Sequence, residues 1–525
     1  MEKEEVNKTG ARVASVAMLL VGATLISRVL GYAREILIYS NFGQNRITDA
    51  YNAAFSVPDF VYLILVGGAL SSAFVPVYTS YLAKKQEEEA WKLANVVITV
   101  VSLLLLIAIL IGNLFLPQII GTVIAPGFDA TSLQLTVNLT RIMFFQTMFM
   151  CYSGITMGIL YSYKRFWPSA IGSVLYNVGI LIIGVLLANR FGIYAFAFGV
   201  VGGAILYLLA QAPALRKQGY HFRPSLNIKH EGFKQVISLM LPIFLGLSIS
   251  QISLFVNQNM ASRLPGGLVA ALSSGQKLMS LPIAIFAVSI GVAAFPMLSE
   301  VAAKKDFNKY NQLLTTSMGN MFFLTIPSTA GFIALATPIV RLMYESGKFT
   351  ASATAATAYT LVCFSFGIAT HGSTQVLNRA FYALRDTKTP MILASISMGV
   401  NIIFNLLLIG PMKQGGLALG YSISGLVNML LLFIFIYKKQ VHVELKKIFK
   451  TFMKSVVAAT IMGISAFVVV NLVAKNIDMS LKTNQLIQVL AGLLVALVVY
   501  FIMAWLLKME ELKQFSRKIS KKSTN

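Results

Sequence analysis

Among the cations inside the long apolar stretches of this 525-residue chain, Arg28, Arg34 and Lys277 are the three to explain. Arg28 and Arg34 fall in the first stretch. Lys277 falls in a later one, at the end of Ser273-Ser274-Gly275-Gln276-Lys277 and five residues before Pro282. An Arg or Lys at mid-bilayer costs on the order of 2.5–3.5 kcal/mol on insertion scales, so it is kept for a polar task. Two tasks fit. A guanidinium fork grips phosphate bidentately, and partial desolvation strengthens the attraction, so a cavity lined by Arg and Lys selects a polyanionic headgroup. The other task is structural, with each cation paired to Glu35, Asp49 or Asp59. Arg28, Gly31 and Glu35 share one helix face, and Arg34 points about 120° away from Arg28. Gly31 either lets the helix bend so that both arginines reach one cavity or admits a neighbouring helix at close range.

Asp49 and Asp59 bracket the start of the second helix, where Asp49 either caps it or acts as a gate partner for a cavity cation. Asn401 and Asn405 share a face of the eleventh helix, and their oxygens suit either a monovalent coupling ion or hydrogen bonds to another helix. His371 reads as a hydrogen-bonded packing residue. Gly154 with Gly158, and Gly199 with Gly203, have the spacing of helix contact motifs. Cys151 and Cys363 sit in apolar runs with neither disulfide nor zinc spacing. No Walker A motif occurs, since Gly347-Lys348 is followed by Phe349. The loops lack an acidic pair or a His/Cys cluster, and Glu87-Glu88-Glu89 reads as a solvated run. No catalytic residue, metal site or cofactor is expected, which disfavours a membrane-embedded glycosyl or phosphate transferase.

The elements that carry these residues follow from composition. With 57% hydrophobic and 12% charged residues and a mean hydropathy of +0.74, the chain cannot cover a soluble globule of this size. Its apolar stretches, roughly 18–30 residues each, have the length of membrane helices and not of barrel strands. The expectation is an all-α polytopic membrane protein of about fourteen helices, from 12–39 to 485–508, with single long helices at 49–83, 268–301, 313–344 and 352–383. Pro58, Pro76, Pro242, Pro282 and Pro296 are expected to bend or interrupt them. The first run, carrying Arg28, Arg34 and Glu35, reads as a retained helix and not as a signal peptide.

The net charge of +24 reports topology, not nucleic acid. Lys84, Lys85, Lys164, Arg165, Arg216, Lys217, Lys304, Lys305, Lys438, Lys439, Lys446, Lys447 and the tail at 517–522 fall on one side. Only Arg46, Arg190, Arg263, Lys413 and Lys475 fall on the other. By the positive-inside rule both termini are cytoplasmic and the number of spans is even.

The chain also repeats itself. A shift of 220 residues lays Ala73 on Ala293, Pro76 on Pro296 and Ala83-Lys84-Lys85 on Ala303-Lys304-Lys305. A shift of 221 lays Tyr161 and Lys164 on Tyr382 and Arg385, and one residue more lays Pro168 on Pro390. These matches imply two homologous six-helix halves, 1–216 and 233–440, joined by a cytoplasmic linker at 217–232. Residues 441–525 add two further helices and a basic cytoplasmic tail. Halves with an even number of spans are parallel repeats, and a substrate path is expected between them.

Ile26-Ser27-Arg28-Val29-Leu30-Gly31-Tyr32-Ala33-Arg34-Glu35, Asp49-Ala50, Gly68-Ala69 and Ala73-Phe74-Val75-Pro76 resemble the N-terminal signature of the MurJ/MviN flippases. Ser248 to Ile252, Leu278-Met279, Gly347 to Ala351, Phe381-Tyr382, Asp386 to Pro390 and Asn405 to Pro411 extend the resemblance over both halves. It implies the fourteen-span plan of the multidrug/oligosaccharidyl-lipid/polysaccharide exporter superfamily. It also implies a lipid II flippase of the bacterial cytoplasmic membrane. Such a protein carries the undecaprenyl-diphosphate-linked peptidoglycan precursor from inner to outer leaflet by alternating access, in cell-wall biogenesis and the maintenance of cell shape.

On that resemblance Arg28, Arg34 and Lys277 bind substrate, Lys277 standing where the family has arginine. The family's acidic residue after the first loop falls on Asp49, and 452–508 form a groove for the prenyl tail; Glu35, Asp59, Gly31 and Gln251 are, with Asp49, this chain's own candidates to line or gate the cavity. Tyr62 and Gly67 depart from an arginine and a glutamate found in well-known members. The implied partners are lipid II, membrane lipids and cell-wall synthesis proteins, and the implied drive is the membrane potential or a monovalent ion. An exporter of another polyprenyl-linked glycan would tolerate the same cations. A cation-coupled multidrug exporter would instead present acidic groups.

Overall fold

The computed structural model describes residues 2–67, 69–439, 441 and 443–512, and side chains outside 2–18, 21, 67–72 and 242–250. Gly68, the basic tail at 517–522 and the side chains of Pro242 and of 248–250 therefore lie outside the described residues. Among those described there is no β-strand. Helix α1 (Glu2–Phe42) runs unbroken through Gly31. Helix α2 (Arg46–Ala54) starts from Asn45, whose side chain accepts from the Ile47 amide at 2.9 Å while Thr48 Oγ1 accepts from the Asn45 amide at 3.0 Å. This reciprocal cap satisfies amides that the first helical turn leaves free. Asn45, not Asp49, is thus the capping residue.

The stretch expected as one helix at 49–83 is α2, α3 (Ser56–Tyr62), a π turn (Leu63–Gly67) and α4 (Ala69–Ala83). Pro58 explains the first break, because it has no amide to donate and its ring collides with the carbonyl four residues back, that of Ala54. The freed Ala54 carbonyl accepts from Thr140 Oγ1 at 3.3 Å, and the Pro58 carbonyl accepts from Thr147 Oγ1 at 3.3 Å. The run 313–344 divides in the same way into α12 (Phe307–Ala334) and α13 (Ala336–Tyr344), bent by 72°. Pro338 stands four residues after Ala334, where α12 ends. The run 352–383 bends by 43° between α14 (Ala351–Ser365) and α15 (Ile368–Ala383). There Ser422 Oγ bonds the Cys363 and Phe364 carbonyls at 2.9 and 3.3 Å.

The first compact unit, Met1–Arg263, also contains α5 (Glu87–Ile119), a π turn (Ile120–Ile124), α6 (Ala130–Ser162), α7 (Trp167–Phe191), α8 (Tyr194–Arg216) and α9 (Glu231–Ser262). Its α7/α8 hairpin packs against α1 and α6, and α9 packs against α4. Gly199 and Gly203 do meet the backbone of α7, since a Cβ on Gly199 would lie 2.8 Å from the Ile180 carbonyl oxygen. Glu89 is more than solvated: it pairs with Lys92 at 2.8 Å and with His230 Nε2 at 3.2 Å, tying α5 to the start of α9.

The second unit, Leu264–Asn525, holds α10 (Leu268–Pro282), a π turn (Ile283–Ala287), α11 (Val288–Ala303), α12–α15, α16 (Lys388–Met412), α17 (Gln414–Tyr437), α18 (Leu445–Asn476) and α19 (Lys482–Leu506). Helix α18 packs on α12 and α19, and Tyr500 Oη on α19 donates to the Phe323 carbonyl at 2.7 Å. Packing divides the chain after Arg263, whereas the sequence repeat divides it before α9. Among the described residues nine helices are long and apolar enough to span a membrane, or up to eleven if each bent pair is one span. The other expected spans, α1, α2–α4 and α9, include side chains outside the description.

The repeat is visible in the irregularities. The π turns Leu63–Gly67 and Ile283–Ala287 are offset by the same 220 residues as the sequence match. Lys85 and Lys305 have φ of 58° and 57°, and Lys164 and Arg385 have 58° and 59°. Each closes its helix with an amide bonding five residues back, such as Gln86 to Tyr81 at 2.9 Å and Asp306 to Val301 at 3.0 Å. This is the Schellman closure, which usually places glycine at the left-handed position. In the loop between α15 and α16, partial burial opposes ionisation of Asp386. The Lys439 ammonium at 2.5 Å and bonds from the Thr389 hydroxyl and amide outweigh it and hold the carboxyl at about 2.

Gly192 and Lys413 end α7 and α16 in nearly one conformation, φ 56°, ψ −135° and φ 50°, ψ −126°. Only glycine adopts it without strain. Lys413→Gly should therefore raise stability by about 1–3 kcal/mol and Gly192→Lys lower it comparably, read as opposite shifts in melting midpoint of the purified protein. A π turn carries one residue more than an α turn in the same place. Deleting Ala284 should accordingly leave membrane accumulation near wild type, whereas deleting Leu432 from the regular α17 should abolish it, as measured by immunoblot of membranes.

Candidate functional site

Arg34 is the centre of a polar neighbourhood in the first unit. Helix α1 holds it half-buried, within electrostatic reach of Tyr51 on α2, Tyr176 on α7, its neighbour Glu35 and Asp59 on α3. Among the described residues its guanidinium forms neither a hydrogen bond nor an ion pair. Asp59 is exposed and its carboxylate is likewise unpaired. The Tyr51 hydroxyl is buried with no hydrogen-bond partner. A guanidinium and a carboxylate that face each other without closing leave donors and acceptors for a polar guest or for water.

The neighbouring acids are committed elsewhere. Glu35, 5% exposed, accepts from Tyr39 Oη at 3.3 Å, and Asn52 Nδ2 donates to the same hydroxyl at 3.4 Å. Asp49 is fully buried and pairs with Arg46 at 3.8 Å. Arg46 in turn donates to the Ser262 carbonyl at 3.3 Å and lies 5.1 Å over the Phe128 ring. Arg28 is exposed, with Tyr32 in its electrostatic reach. Gly31 faces α7, where a Cβ would stand 3.7 Å from Asn177 Oδ1. One turn away, Asn177 Nδ2 donates to Ser27 Oγ, and Ser27 Oγ to the Ser173 carbonyl, each at 3.0 Å. Gly31 thus stands at a close helix contact, and α1 does not break there to turn Arg28 towards Arg34. Gln251 is half-buried on α9.

In the second unit Lys277 is half-buried in the third turn of α10. Its neighbour Gln276 lies beside the Tyr421 hydroxyl, and His371 stacks on Tyr421 with ring centroids 4.1 Å apart and Nε2 3.1 Å from the Tyr421 carbonyl. Asn401 and Asn405 are buried on α16, with side-chain amides bonded to each other at 3.3 and 3.5 Å.

Two features escaped sequence reasoning. Arg379 Nη1 on α15 donates to the Val288 carbonyl at 3.2 Å, immediately after the π turn Ile283–Ala287. An arginine inside an apolar run was the signal for it. Tyr51, Tyr62 and Tyr176 gather around Arg34 and Asp59. They come from three helices, so no spacing along the chain ties them together.

Comparison with known proteins gives a consistent result. The sequence profile of the family described as Lipid II flippase MurJ matches residues 38–512. The chain is 31% identical over 435 residues to the lipid II flippase MurJ of Burkholderia cenocepacia, covering 81% of this chain and 84% of that one. It is 30% identical over 485 residues to the probable lipid II flippase MurJ of Buchnera aphidicola, covering 91% and 94%. Among solved structures, a lipid II flippase MurJ in an inward closed conformation superposes with a TM-score of 0.77 at 29% identity, covering 93% of this chain and 99% of that one. An inward-facing multidrug resistance MATE transporter of the MOP superfamily, with a TM-score of 0.64 and 15% identity over 80% of this chain and 97% of that one, shares the fold. With the profile spanning most of the sequence, the chain is a multi-pass membrane protein that belongs to the MurJ lipid II flippase family.

Proposed function

We propose that this protein is a lipid II flippase, moving the undecaprenyl-diphosphate-linked peptidoglycan precursor from the inner to the outer leaflet of the bacterial cytoplasmic membrane. The observation that carries this reading is Arg34, a half-buried guanidinium that the fold leaves unpaired among phenols. A diphosphate supplies what that group lacks, two anionic centres with the geometry of its donors. A multidrug exporter of cations is the weaker reading, because Asp59 has Arg34 across from it. Another polyprenyl-linked glycan shares the diphosphate and remains the second reading.

The mechanism we favour is alternating access without a cofactor. The charge pattern supports cytoplasmic termini, with 1–216 and 233–440 as the two halves and 217–232 as the linker. Residues 452–508 serve the prenyl tail, Lys277 supplies a second cation, and Asn401 and Asn405 remain candidates for a monovalent ion. Cell-wall synthesis proteins are the expected partners. Moving two negative charges outward across about 100 mV yields roughly 4–5 kcal/mol if the full drop is crossed, enough to drive the step.

Expression in a MurJ-depleted bacterium should restore growth and expose lipid II at the outer leaflet. Arg34→Ala should reduce that exposure at least about tenfold at equal expression, the loss of one charge-assisted bidentate contact. No rescue by well-expressed wild type would shift the assignment to another polyprenyl-linked glycan. Collapsing the membrane potential with ion gradients held should slow flipping severalfold, and an unchanged rate would rule out the potential as the drive.

A further inference from the structure

The tyrosines beyond Arg34 form a row that the diphosphate does not need. Tyr176 on α7 lies against Gly203 on α8, and Tyr207 on α8 lies against Gly172 on α7, so the two rings pack reciprocally across the hairpin. Tyr62, the last residue of α3 before the π turn, lies within reach of Asp59, Tyr176 and Tyr207. Tyr207 in turn neighbours Tyr161, near the end of α6. Tyr62, Tyr176 and Tyr207 are all half-buried, and their hydroxyls form no hydrogen bond among the described residues. Unlike the Tyr51 hydroxyl, none of the three is shut away without a partner, so each stays open to water or to a polar guest.

The chemistry of the row is specific. It offers neutral donors and acceptors on the rims of flat apolar rings and, past Arg34 and Asp59, no charge. A phosphate gains little from it. A pyranose gains much, because one face of the sugar ring is a patch of C–H groups and its edge is a fringe of hydroxyls. Tyr207 lies against Gly172, four residues before Tyr176, so the two stand one helical turn, about 6 Å, apart along α7, roughly the length of one sugar ring.

We propose that Tyr62, Tyr176 and Tyr207 form a track for the uncharged sugars of the headgroup, continuing from the diphosphate at Arg34. The proposal rests on the lipid II reading and assigns a task to the position where this chain has a tyrosine in place of the family's arginine. Arg34 then anchors any polyprenyl diphosphate, and the tyrosines discriminate by what is attached to it.

The test uses the purified full chain in nanodiscs with two probes, lipid II and undecaprenyl diphosphate, which shares the tail and diphosphate and lacks sugar. Combined Tyr62→Phe, Tyr176→Phe and Tyr207→Phe keeps the rings and removes the hydroxyls. It should weaken lipid II binding by about 10- to 100-fold, the loss of two or three neutral hydrogen bonds, and change undecaprenyl diphosphate binding less than about twofold. Arg34→Ala should weaken both probes. If the triple variant has a lowered melting midpoint, its three single variants are scored with the same probes. Unchanged lipid II binding, or an equal loss for both probes, overturns the track. A wild type that binds neither probe, or the sugarless one alone, overturns the lipid II reading itself.

Discussion

Hydrocarbon offers a backbone amide or carbonyl nothing to bond, so wherever a membrane helix breaks its ladder a neighbour must repair it. Most of the architecture described here follows from that constraint. Proline opens the ladder at Ala54, and hydroxyls from α6 close it at the Ala54 and Pro58 carbonyls. The bend between α14 and α15 is closed by Ser422 from α17, and the Val288 carbonyl that follows the π turn Ile283–Ala287 by Arg379 from α15. Each repair fixes which helix lies beside the break. The bends in turn decide which side chains leave the common face of a straight helix. Asp59 and Tyr62 come to the neighbourhood of Arg34 because α3 is a separate, short helix.

Electrostatics then divides the polar residues into those used by the fold and those left over. Asp49 is fully buried with Arg46 as its cation at 3.8 Å, so withdrawing Arg46 would leave a buried carboxylate without that countercharge. Glu35 is similarly occupied by the Tyr39 hydroxyl. Arg34 is surrounded by groups that favour its charge, yet none of them closes on it. A site of this kind gains from a guest carrying its own negative charge, since the polar groups need not be taken from other partners first.

How much of this was legible in the sequence depends on the range of the interaction. The repeat was legible because Pro76 and Pro296, and the Lys pairs that follow, preserve one offset. The prolines marked the breaks, but a hydropathy run shows only that 49–83 and 313–344 are apolar, not that Pro58 and Pro338 cut them near Ala54 and Ala334. Arg34 was legible as a charge out of place. Its phenolic surroundings were not, since tyrosine is unremarkable in an apolar helix and Tyr51, Tyr62, Tyr176 and Tyr207 meet only through packing. Asp49 looked like a cap because aspartate favours that role, and Asn45, four residues earlier, has the stronger claim through Thr48.

The paired π turns say something about chronology. An extra residue inserted into a helix rotates everything beyond it by about 100°, so it survives only where the surroundings accept the new facing. Two independent insertions at one register are far less economical than a single one that predates the duplication. The π turn at this register is on that account older than the repeat that now carries it twice.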